Sequence, residues 1–160
     1  MYKTKPLTLF VVAAFFVTAL AVSLMASTYT AHSATPGGRH GKMNISMTAP
    51  PGAPFEKVSK LVQLPDYLPG MGTLYVDPKT LPVGPFLGYS HEGKLVNITY
   101  MVPVEDLESH KAFTNLGASV AGLRVDHTEL QYNPGHPGVE KPHYHITEWL
   151  ISEAAETAMK

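Results

Sequence analysis

No cysteine occurs among the 160 residues of this chain. That absence excludes disulfides, thiolate zinc sites, cysteine nucleophiles and lipid attachment at cysteine. Any metal site must therefore be built from imidazole and carboxylate groups. No long basic run occurs and the formal net charge is −1, so the electrostatic footprint of a nucleic-acid binder is missing. There is no acidic tail either. The chain has no Gly-x-Ser-x-Gly elbow. "HEGKL" (91–95) has no second histidine at the i+4 position that a metalloprotease helix needs. Ser90-His91 and Ser109-His110 are sequence neighbours, which does not make them nucleophile–base pairs. Nothing in the sequence points to an organic cofactor or assigns a reaction.

Only one long apolar run is present. Lys3 and Lys5 precede "LTLFVVAAFFVTALAVSLMA" (7–26). A positive segment followed by an apolar core is the layout of an export signal. The run is longer than the usual signal core, so residues 1–26 read as a cleaved signal peptide or as an uncleaved anchor, with cleavage preferred. Either way the lysines stay inside, and the rest of the chain is expected outside the cytoplasm, periplasmic or secreted. The N-terminal segment is the only expected membrane contact.

Residues 27–53 are rich in Ser, Thr, Gly, Pro and Ala and have no sustained apolar period. They read as a flexible linker, with some order near Ile45 and Met47. His32 and His40 fall here and are left out of any preformed site. One globular domain is expected over 54–152, followed by a polar tail at 153–160. Phe55, Val58, Leu61 and Val62 recur at helical spacing behind Pro54, which predicts a helix ended by Pro65. "TLYVD" (73–77) reads as a strand. "FLGYSH" (86–91) and "KLVNITYMV" (94–102) flank Glu92-Gly93, the pattern of a hairpin. The second of these is apolar on both faces and is expected to be central. "PVEDLESHKAF" (103–113) has a helix opener and early acidic residues. Strands are expected at 123–132 and 142–151. The total is an α+β domain: a mainly antiparallel sheet of about five strands with about two short helices. Asn44-Ile-Ser and Asn97-Ile-Thr fit the glycosylation pattern, which is common by chance.

Three of the eight histidines lie between 136 and 145. On a strand, His143 and His145 share a face and their stems stand about 6.5–7 Å apart. Two imidazoles so placed can lean toward one ion, with nitrogen–metal distances of about 2 Å. The preceding strand carries His127 and Glu129 on one face, and the Pro/Gly connection 133–141 suits a direct return. If the register sets His127 opposite His143 or His145, three imidazoles converge and His136 reaches over from the loop. His127, His136, His143 and His145 are therefore the expected ligands of a transition-metal ion, zinc or copper first. Against this stands the ordinary reading, in which each histidine is satisfied by a separate backbone or carboxylate partner. Glu148 falls on the opposite face and is not expected to contribute.

Further motifs are "LPVGP" (81–85), "ITYMVPVEDL" (98–107), "GHPG" (135–138) and "PHYHITEW" (142–149). In these the chain resembles a family of small exported bacterial domains with an LPVGP segment, a Tyr-Met strand, an acidic helix and a C-terminal Gly-His-Pro…Pro-His-x-Asp-x-His signature. His136 and His143 fall on that signature. His145 stands where Asp is usual and Thr147 where the second His is usual. The first cupin motif is a poorer match: the spacings around "GVEKPHYHITE" are short and no histidine follows His145. The resemblance implies an exported α+β domain and implies no reaction. Two functional readings follow from the sequence. One is an extracytoplasmic metal-binding domain. The other is a structural or homo-oligomerising module without metal.

Overall fold

The computed structural model describes residues 45–159. The export segment 1–26 and the linker as far as residue 44 lie outside the described residues, as does Asn44 with its glycosylation pattern. The chain runs β1 (Glu56–Lys57), α1 (Val58–Leu61), β2 (Thr73–Val76), β3 (Phe86–Tyr89), β4 (Leu95–Pro103), α2 (Val104–Glu108), β5 (His127–Asn133), β6 (His143–Trp149) and α3 (Glu153–Thr157). The six strands form one sheet in the order β1-β2-β3-β4-β6-β5. Every neighbouring pair is antiparallel. The fold is therefore α+β and mainly sheet, as the sequence predicts.

The hairpin closes where Glu92-Gly93 places it. Gly93 has φ 74°, Ser90 N–H donates to Lys94 O at 2.8 Å, and Gly93 N–H returns to Ser90 O at 2.9 Å. A positive φ at the tip suits glycine, which has no Cβ to clash. All nine residues of β4 are buried. It is central, with β3 on one side and β6 on the other. Alternation sends Leu74, Val76, Phe86 and Met101 to one face, where they pack with Val58. The opposite face holds Leu87, Tyr89, Ile98 and Tyr100. With a core on each side, β4 has no solvated face, which explains its unbroken apolar character. Asn97 is also fully buried, and its amide donates to Met71 O at 2.9 Å. A residue so enclosed is not a glycan acceptor in the folded chain, so that sequence pattern is a chance match.

Three expectations are corrected. The helix expected from Pro54 is a two-residue strand followed by a single turn, α1. Glu56 and Lys57 pair with Val76 and Tyr75 at the sheet edge, so their backbone groups are committed to the sheet. Phe55 packs into the core of one face while Val58 and Val62 pack into that of the other. Helical spacing is present, but those side chains do not share a face. The helix expected over 103–113 spans only Val104–Glu108, because Pro103 is still paired with His143 and His110 turns left-handed at φ 58°. The stretch 153–160, read as a tail, contains α3, capped by Ser152 Oγ accepting from Ala155 N–H at 3.4 Å. Its end is tied down where Gly70 N–H donates to Met159 O at 2.8 Å. The end of the expected linker also joins the fold. Leu95 N–H donates to Met47 O at 2.9 Å, and Tyr89 Oη donates to Ser46 O at 2.8 Å.

Candidate metal centre

β5 and β6 are antiparallel neighbours, as their Pro/Gly connection implies. Their register sets Asn133 opposite His143, Gln131 opposite His145 and His127 opposite Trp149. His143 and His145 lie on the face that carries Met101 and Phe86, because His145 pairs with Met101 across β4. The loop between the strands then turns back over that face. Asn133 Oδ1 accepts from Gly135 N–H at 2.8 Å, and His136 and Val139 exchange two backbone hydrogen bonds of 2.9 Å each. Gly135 has φ 132°, and a Cβ there would collide with the backbone carbonyl of Glu140. Gly138 has φ 91°, and a Cβ there would press on the Val62 side chain at 2.7 Å. Both glycines of "GHPG" are thus required by the close approach of the chain, and the outcome is His136 swung over the start of β6.

The three imidazoles meet there. His143 Nε2 lies 3.2 Å from His136 Nε2 and 2.9 Å from His145 Nε2. The three potential ligand atoms all fall within 4.8 Å of one another. A tetrahedral ion with nitrogens at about 2.0–2.1 Å separates each pair by roughly 3.3 Å, so the cluster is near the size of such an ion's ligand shell. The outward nitrogens are also tied. His143 Nδ1 is 2.7 Å from Lys141 O, and His136 Nδ1 is 3.1 Å from Pro137 O. A carbonyl only accepts, so Nδ1 carries the proton on both rings and each Nε2 turns a lone pair inward. This is the outer-shell arrangement by which proteins fix the tautomer of a metal-ligating histidine. His143 is fully buried, and Lys141 is held to α2 by its bond to Glu105 at 2.8 Å.

His127 does not join them. Six positions before Asn133, it sits roughly 20 Å along β5 from the cluster at the usual strand rise. Its ring stacks on Trp149, while Nδ1 meets Asp126 at 3.1 Å and Nε2 meets Glu156 at 3.2 Å. Partial burial disfavours its proton, but these two carboxylates outweigh that and hold its pKa above the ordinary histidine value. His127, Glu129 and Glu156 form a separate group of possible ligand atoms. Within it, Glu129 Oε2 already accepts from Trp149 Nε1 at 3.2 Å and from Gln131 Nε2 at 2.9 Å. The expected convergence of His127 with His143 and His145 is corrected accordingly. Glu148 faces the other side of the sheet, where burial holds its carboxyl above the usual range.

Sequence reasoning missed a chamber of about 390 Å³ beside the cluster. His136 and His145 stand on its wall, and the rest is largely apolar, with Val62, Leu74, Val76, Phe86, Met101 and Val139 among the lining residues. The residues come from separate segments of the chain, and only the sheet register brings them together.

The cluster carries a pH signature of its own. Burial, and then the neighbouring His143 and His136, push the pKa of His145 down to about 4. An unfolded histidine takes its proton at about pH 6.5. Between these values the unfolded chain binds more protons than the fold, so acidification favours unfolding. The metal-free domain should lose stability as pH falls from about 6.5 to about 4, by at most about 3 kcal/mol from this residue. His127 acts in another window, since a raised pKa gives stability that is lost above about pH 6.5. Glu148 acts in the opposite sense to His145 at acid pH. The measurement is therefore a difference, urea unfolding of the wild type and of His145→Gln at several pH values. A His145→Gln curve with the same acid slope as the wild type would refute the assignment.

No protein-family model matches this chain, nor does any curated protein sequence. A solved structure does. The crystal structure of hypothetical protein TTHB210 from Thermus thermophilus is 42% identical in sequence, with a TM-score of 0.54 over 60% of this chain and 86% of that one. Sequence identity at this level, across most of the other chain and with a shared fold, reflects common descent. The chain therefore belongs to the same family as the Thermus hypothetical protein TTHB210.

Proposed function

We propose that this chain is a small extracytoplasmic domain that binds one transition-metal ion through His136, His143 and His145. The observation that carries the reading is the inward convergence of three Nε2 atoms, two of them on rings whose Nδ1 is bonded to a backbone carbonyl. Three neutral imidazoles favour a borderline ion, zinc or copper before others. A three-histidine zinc site keeps a position open for water or a ligand, whereas a copper site of the same make-up can serve storage alone. Export is supported by the lysine-flanked apolar run 7–26. The motif resemblance to small exported bacterial domains points the same way.

A second reading has its own observation. β5 is an edge strand, and Leu130 and Tyr132 on it are 65% and 57% exposed. Exposed apolar residues on an unpaired edge suit strand pairing between copies of the chain. Calorimetric titration of tag-free, chelator-stripped protein with zinc and with copper separates the two. One equivalent of metal bound at neutral pH, and lost on acidification as protons compete with the ion for imidazole nitrogen, supports the metal site. No uptake of either ion leaves the oligomerising module as the better account.

A further inference from the structure

The chamber and the histidines share a wall, and each supplies what the other lacks. His136 and His145 line the chamber, but among the described residues no Asp, Glu, Lys or Arg does. Apart from these two rings, the polar lining residues are Thr99 and Asn133. A dication held by three neutral imidazoles keeps its full charge, and a charge beside apolar walls needs a counter-charge. Hydroxide could meet that need, but it would leave water filling the space between Leu74, Val76, Phe86 and Met101. An anion with an apolar body meets both demands at once. Size narrows the choice further. At the ~30 Å³ that one water occupies in the liquid, about 390 Å³ holds on the order of ten to fifteen non-hydrogen atoms. The volume lies at the small end of the range usual for ligand pockets, roughly 300–1,000 Å³.

We propose that the domain binds a medium-chain monocarboxylate, its tail among the apolar side chains of the chamber and its carboxylate on the ion held by His136, His143 and His145. The proposal rests on the metal reading and adds the ligand class. The carboxylate oxygen takes the coordination position that the three imidazoles leave open. The tail lies between the sheet face and the segment that carries Val62 and Leu64.

The test uses decanoate, whose size falls within the range above, with acetate as a head without a tail. The full chain is titrated with zinc first and with each acid afterwards. The zinc-loaded protein should bind one equivalent of decanoate, and acetate should bind at least ~100-fold more weakly because it forgoes burial of the tail. Removing zinc should weaken decanoate by at least ~10-fold. Leu64→Trp, which fills the chamber from its half-buried wall, should weaken decanoate by a similar factor with zinc uptake unchanged, and that unchanged uptake reports an intact fold. Zinc uptake without decanoate binding would overturn the proposal and leave the metal site standing. Equal decanoate affinity with and without zinc would also overturn it, as would acetate binding as well as decanoate or an indifferent Leu64→Trp. Failure to take up zinc would overturn the metal reading and this proposal together.

Discussion

His143→Ala should lower zinc affinity by at least ~100-fold if the ion sits among the three histidines. Loss of an outer-shell partner alone typically costs roughly 10–100-fold, and a direct ligand exceeds that. His143 is also the nitrogen that the other two approach, at 3.2 Å and 2.9 Å. Without it, only His136 and His145 of the three-histidine group would remain, both on the chamber wall. The substitution has a structural cost as well. It leaves a void at a fully buried position and strips Lys141 O of its donor, a loss on the order of 1–3 kcal/mol. Far-ultraviolet circular dichroism should therefore accompany the titration. His145→Ala, at a less enclosed position, should give the same loss of affinity with less damage to the fold. A folded His143→Ala that binds zinc within a few-fold of wild type would remove His143 from the site.

Zinc should raise the melting temperature by roughly 10 °C at a free concentration about one hundred times its dissociation constant. A ligand that binds only the folded state contributes about 2.7 kcal/mol under that condition. Each kcal/mol moves the melting point by roughly 2–8 °C over the range of small-domain sizes. The unfolded chain has no preformed site, because His136 reaches His143 only through the turn at 135–139. Calorimetric scans of stripped protein, with and without zinc, give the shift. Magnesium, which prefers oxygen ligands in an octahedral shell, should give none. Equal shifts with both ions would mean that the effect is not coordination by imidazole.

The sheet is legible in the sequence because alternation is a local signal. β4 reads as central from apolar residues on both faces, and β6 places His143 and His145 together from their spacing alone. The pairing of β5 with β6 follows from the Pro/Gly connection. What the sequence does not carry is register. The closure of the turn at His136–Val139 sets Asn133 opposite His143, and that pairing carries His127 to the far end of the sheet. Had the connection closed at another pair, different residues of β5 would face the cluster. Position 55 shows a related limit. Phe55, Val58 and Val62 fit one face of a helix on paper, yet the chain crosses the sheet edge between them and sends them to opposite cores. α3 is hard to read because none of its residues is buried, so it has no apolar period. The Ser152 cap followed by Glu and Ala residues is the available signal.

The most direct test is anomalous diffraction from crystals grown with zinc, with data collected on either side of the zinc absorption edge. The expected map has one strong peak about 2.0–2.1 Å from Nε2 of His136, His143 and His145, and none between His127 and Glu156. A map with no peak among those three nitrogens, or with its only peak at His127, would contradict the account.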